Sequence, residues 1–171
     1  NHGDVNGSVT IGLEGPNSFE SGDFAGGTVS ITDVSVNPPY TVSMLIRDDV
    51  TDGGAYPIVS ANDGGTDVSI AINNGGYLWY NSGDYNAPIE TVDTYALVTV
   101  RAIDSTTQNI VLDNFKQVDI YDDTNIDSDF NLIGAGTFSN NYDGEIAFMG
   151  FWDRAISDAE ISYLNRLTAP R

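Results

Sequence analysis

The residues able to do chemistry in this chain are almost all carboxylates and aromatic rings. Twenty-five Asp and Glu stand against six Lys and Arg, His2 is the single histidine, and there is no cysteine. Glycoside hydrolysis needs two carboxylates about 5–5.5 Å apart for retention or about 6.5–9.5 Å apart for inversion. No two Glu lie within five residues of each other, so no strand offers a Glu pair for this chemistry. The nearest approach is Asp119-Ile120-Tyr121-Asp122-Asp123, where Asp119 and Asp123 share strand parity, but the run has no Glu and enters a turn. It reads as a solvated strand end. With the only histidine at the second position, Ser-His and His-metal chemistry have nothing to build on. The chain is therefore expected not to be an enzyme.

Carboxylates can instead hold a hard cation, which collects several Asp oxygens and backbone carbonyls on loops. Three loops have that composition: Asp48, Asp49 and Asp52; Asp63 and Asp67; and Asp122, Asp123, Asp127 and Asp129. None has the spacing of an EF-hand loop, and among 20 Asp residues such groups also arise as solvated loop acids. Calcium is the candidate cation, and Asp122, Asp123, Asp127 and Asp129 are its candidate ligands. Aromatic rings offer a second chemistry. Tyr77 and Trp79 alternate along one short strand, and Tyr80, Asp84 and Tyr85 follow. Rings that stack on apolar sugar faces, beside acids that accept from hydroxyls, make a glycan site of Tyr77, Trp79, Asp84 and Tyr85. The competing reading packs Trp79 in the core.

Composition limits the partners. A net charge of −19 repels phosphate backbones and anionic lipid, so neither nucleic acid nor membrane is an expected partner. No apolar run approaches the ~20 residues of a membrane span. The acids are spread from Asp4 to Asp158 without a long run, as on the solvated surface of a folded domain. A length of 171 residues suits one β domain, residues 1–171, with a sizeable core. Without cysteine, stability must come from that core and from assembly. The chain begins at Asn1 and not at Met, which is expected of a processed or trimmed N-terminus.

The elements that must position these residues are mostly strands. Thr28 to Thr32, Tyr40 to Arg47, Pro57 to Ala61, Val68 to Ile72, Tyr77 to Tyr80, Tyr95 to Ile103, Ile110 to Leu112, Gln117 to Tyr121 and Leu132 to Gly136 have strand composition or alternation. Ser8 to Leu13 is an expected first strand, and Gly15 to Gly27 an expected loop. Asn73-Asn74-Gly75-Gly76 calls for a tight two-residue hairpin turn. The stretch Tyr142 to Leu167 organises the rest. Asp143-Gly144 is turn chemistry, Glu145 to Trp152 is a central strand expected to be buried on both faces, and Ser157 with Glu160 forms a capping box. Ile156 and Ile161 occupy staple positions, and Ile161, Leu164 and Leu167 give the helix an expected apolar stripe. Frequent strands, Gly/Asn/Asp turns and one terminal helix indicate an all-β antiparallel two-sheet sandwich.

The same C-terminal stretch resembles the end of laminin G-like domains of the concanavalin A-like lectin and glucanase superfamily. The matching positions are Gly144, Trp152, Asp153, Arg154, Ala155, Ile156, Ser157, Ala159, Glu160 and Ile161, with GTVSI, PYTVSMLIR, NNGGYLWY and NLIGAG preceding them in order. The resemblance implies a jelly roll. It also implies a setting on bacteriophage particles or bacterial surfaces, where such a domain decorates or stabilises an assembly. The expected function is thus a non-catalytic, surface-displayed module, a virion (phage capsid) decoration protein, with a lectin-like, calcium-dependent carbohydrate-binding module as the alternative. Its expected partners are other subunits of a homo-oligomer, through sheet edges and rings such as Tyr56, Tyr85 and Phe130, or a glycan.

Overall fold

The structure is a computed structural model; it describes residues 4–7, 9–14, 20–49, 54–61, 69–73, 77–80, 85–88, 94–104, 107–111, 117–121, 128–135 and 141–168. Among these, the strands in chain order are β1 Asp4–Asn6, β2 Thr10–Glu14, β3 Glu20–Asp23, β4 Thr28–Val36, β5 Tyr40–Asp48, β6 Ala55–Ala61 and β7 Ser69–Asn73. They continue as β8 Tyr77–Tyr80, β9 Tyr85–Pro88, β10 Ala96–Ala102, β11 Thr107–Val111, β12 Gln117–Tyr121, β13 Ser128–Ile133 and β14 Gly144–Trp152, followed by the helix α1 Asp158–Thr168. They form two seven-stranded antiparallel sheets: sheet A in the order β1-β4-β13-β6-β7-β8-β9, and sheet B in the order β12-β11-β10-β5-β14-β3-β2. The chain crosses between sheets at β1 to β2, β3 to β4, β4 to β5, β5 to β6 and β9 to β10, and again from β12 through β13 to β14, the wrapping of a jelly roll.

Period-2 alternation explains the core. Along β5, Tyr40, Val42, Met44 and Ile46 enter the inter-sheet core, joined from β10 by Ala96, Val98, Val100 and Ala102. Sheet A answers with Val36, Ile58, Val59, Ile70, Ile72 and Phe130. The opposite positions of β5 and β10 face outward from sheet B, and there Ser43 and Thr99 pair hydroxyl to hydroxyl at 2.8 Å.

Strand β14 lies between β5 and β3, as its apolar run demands, but it is half-buried for most of its length and not buried on both faces. A bulge between Ile146 and Phe148 sets the alternation: Ile146, Met149 and Phe151 pack on the inter-sheet core, while Phe148 and Trp152 are register partners of Leu45 and Thr41 on the outer face. Helix α1 and the residues leading into it cover only one end of that face, through Ile156, Ile161 and Leu164 against Val111 and Trp152.

The helix starts as the capping box requires. The Ser157 N–H donates to Glu160 Oε2 at 2.8 Å and the Glu160 N–H to Ser157 Oγ at 3.3 Å. The expected stripe is corrected at its end. Leu167 is 42% exposed and Thr168 is buried in its place. At about 100° per residue, position 168 falls nearly over Ile161, whereas 167 falls about 120° away. Two of the rings expected to make subunit contacts are also corrected: Tyr56 and Phe130 are core residues, Phe130 lying edge-on to Tyr40 at 6.3 Å between centroids and 5.7 Å from Phe151. The Asn73 to Tyr77 register leaves three residues, 74–76, between β7 and β8 in place of a two-residue turn.

Candidate functional site

Tyr77, Trp79 and Tyr80 of β8 and Tyr85 of β9 belong to one hairpin at an edge of sheet A. Across β7, Ala71 pairs with Trp79 and Asn73 with Tyr77, whereas the core residues Ile70 and Ile72 pair with Tyr80 and Leu78. Directly opposed residues share a face of a sheet. The Tyr77 and Trp79 positions therefore belong to the face turned away from the inter-sheet core. On β9, Asn86 and Pro88 oppose Trp79 and Tyr77, while Tyr85 opposes Tyr80 and so takes the other parity. Asp84 lies outside the described residues, as do the side chains of this hairpin.

Of the acids proposed for a cation, Asp129 is an exposed residue of β13 opposite Ser35 of β4, and Asp122, Asp123 and Asp127 lie outside the described residues. Among the described residues no three His, Asp or Glu side chains are placed to hold a metal ion. The loop acids Asp48 and Asp49 diverge. Asp48 ends β5 and is buried, whereas Asp49 pairs with Arg47 at 3.4 Å.

A polar network that sequence reading does not reveal occupies the outer face of sheet B, at the end that α1 leaves uncovered. Glu145 of β14 receives hydrogen bonds on Oε2 from Ser21 Oγ at 2.8 Å and from the Tyr95 hydroxyl, and its Oε1 pairs with Arg47. The Arg47 guanidinium lies 5.8 Å from the centre of the Tyr95 ring. Beneath them the Tyr142 hydroxyl donates to the Arg47 carbonyl at 2.8 Å. Burial alone would raise the Glu145 pKa, but the bonds from Tyr95 and Ser21 and the Arg47 charge outweigh it and hold the carboxyl below its ordinary range. Asp23, the register partner of Glu145 on β3, is shifted upward by burial and by the charges of Glu145, Asp49 and Asp143.

Two neighbouring carboxylates with pKa values pushed apart are the raw material of an acid and base pair. Here Glu145 has both oxygens engaged by side chains of the fold, so the network serves to fasten β3, β5, β14 and the start of β10 together. Its members are scattered over Ser21, Arg47, Tyr95 and Glu145, and only strand register assembles them.

With the fold and these positions in view, comparison with known proteins adds the following. No protein-family model and no curated protein matches the chain. Among solved structures it is similar to domain 4 of AbnA, a GH43 extracellular arabinanase from Geobacillus stearothermophilus, in complex with arabinotriose. The TM-score is 0.75 at 12% identity, over 97% of this chain and 87% of that one. It is also similar to the binding domain of botulinum neurotoxin DC in complex with SialylT, with TM-score 0.66 and 16% identity, over 98% of this chain and 46% of that one. A Trypanosoma rangeli sialidase matches with TM-score 0.67 and 12% identity, over 95% of this chain but 29% of its own length. The chain thus spans about half or less of the latter two. At these identities the likeness establishes the all-β sandwich, compatible with the lectin and glucanase fold; the laminin G-like resemblance rests on the C-terminal motif.

Proposed function

We propose that this chain is a non-catalytic glycan-binding module displayed on an extracellular or particle surface. The observation that carries the reading is the match along nearly the whole of both chains to an arabinanase domain solved with arabinotriose. The Tyr77 and Trp79 positions, turned away from the core at the edge of sheet A, supply the stacking platform; Asp84 follows in the sequence, and Tyr85 takes the opposite parity. Asp122, Asp123, Asp127 and Asp129 are the residues that would make binding calcium-dependent.

The test is a glycan array followed by calorimetry on the intact chain and on Trp79→Ala, with calcium and with chelator, alongside hydrolysis assays on the glycans that bind. Binding that Trp79→Ala weakens by about tenfold or more, without hydrolysis, is the expected result. Hydrolysis would overturn the non-catalytic reading. A silent array, with an oligomeric mass in solution and particles made more heat-resistant by added protein, would establish the decoration role implied by the C-terminal motif.

A further inference from the structure

We infer, resting on the glycan-binding reading, that the ligand is an uncharged glycan and that chains bearing sialic or uronic acid are rejected by charge. A sugar carboxylate is held most strongly by an arginine fork or a lysine, because a cation offsets the desolvation of the anion. The chain has six such side chains, and two of them, Lys116 and Arg171, lie outside the described residues. Three of the remaining four are already committed to carboxylates. Arg47 pairs with Glu145 and Asp49. Arg101 is buried and gives its Nη1 to the Ile156 carbonyl at 2.9 Å and to Asp158 at 2.7 Å. Arg154 spends both terminal guanidinium nitrogens, Nη1 and Nη2, on Glu160, the same fork that would take a sugar acid.

Arg166 is the one arginine among the described residues outside an ion pair, and it stands in the last turn of α1, where the helix end itself attracts a cation. Against these few cations stands a net charge of −19, whose field opposes the approach of any anion within a Debye length of about 8 Å at physiological salt. A neutral glycan meets none of this opposition. Its hydroxyls donate to the plentiful carboxylates and its apolar faces stack on rings.

The experiment is calorimetry of the full chain, in chelator, with neutral pentose and hexose trisaccharides, a sialylated trisaccharide and a galacturonic acid trisaccharide. Salt is set at about 10 mM and about 1 M, where the Debye length falls from roughly 30 to 3 Å. The expected result is neutral binding that changes less than about threefold with salt, and acidic binding at least about tenfold weaker in low salt that recovers as salt rises. An acidic sugar that binds as tightly as the neutral ones in low salt overturns the inference and leaves the glycan reading standing. So does an acidic sugar that becomes the preferred ligand when calcium replaces chelator, because a bridging cation then does what the arginines do not. Failure of every glycan on a broad array overturns the reading, and this inference with it.

Discussion

A methyl group added at Gly144 would sit 2.4 Å from the Arg47 carbonyl oxygen and 2.8 Å from the Tyr142 hydroxyl. Those two atoms are hydrogen-bonded to each other, so the methyl has nowhere to go without breaking the contact that ties β5 to the segment leading into β14. Gly144→Ala should cost on the order of 1–3 kcal/mol in urea unfolding, and a variant as stable as the parent would show that the strand start shifts freely. At Ser157 the loss is of a different kind. Ser157→Ala removes the acceptor for the Glu160 N–H and should cost about 0.5–2 kcal/mol, seen as a lower denaturation midpoint at unchanged slope. Glu160 itself carries two duties, capping the helix and receiving the Arg154 fork, and these hold its pKa down to about 2.

Helix α1 is the element on which these residue effects converge. Glu160 is ionised well below the ordinary carboxylate range in the folded chain, so its contribution is present above that range and is lost as pH falls from about 4.5 toward about 2. Glu145, also shifted downward, acts in the same direction, while Asp23, shifted upward, acts in the opposite one. Amide exchange at Ile161 and Leu164 should therefore quicken across that acid window before the core of β5 and β10 opens. Arg101→Met keeps the bulk beneath the helix but leaves the Ile156 carbonyl without its donor; a loss of about 1–3 kcal/mol is expected, with α1 amides exchanging faster than those of β5.

The helix start was legible because a capping box is a local pattern, and β5 and β10 because alternation survives in a central strand. β3 was not: Glu20-Ser-Gly-Asp23 has no apolar residue, and it is a strand because β14 and β2 offer it backbone partners. The same limit hid the Glu145 network, whose members meet only through the register of four strands. The Tyr77 and Trp79 positions were visible as alternation, but which face they take followed only from their pairing with Asn73 and Ala71.

For the molecule as a whole, charge sets the conditions of stability. Acids outnumber Lys and Arg by 19, and the folded chain holds them closer together than the unfolded chain does. Raising sodium chloride from about 10 mM to about 150 mM should raise the thermal midpoint, since the Debye length falls from roughly 30 to 8 Å; a midpoint that falls would show that the ion pairs outweigh the repulsion. The two sheets also end in a shared way. β1 is the outermost strand of sheet A and pairs with β4, β2 is the outermost strand of sheet B and pairs with β3, and both come from the first fourteen residues. That short segment caps two hydrogen-bonding ladders at once. A chain shortened to begin at Glu20 would bare the backbone of β3 and β4 together, and its natural remedy is to borrow the missing strands from a neighbour. Such a truncated chain should self-associate more than the parent, and an added peptide spanning the lost residues should return it to the parent's mass in solution.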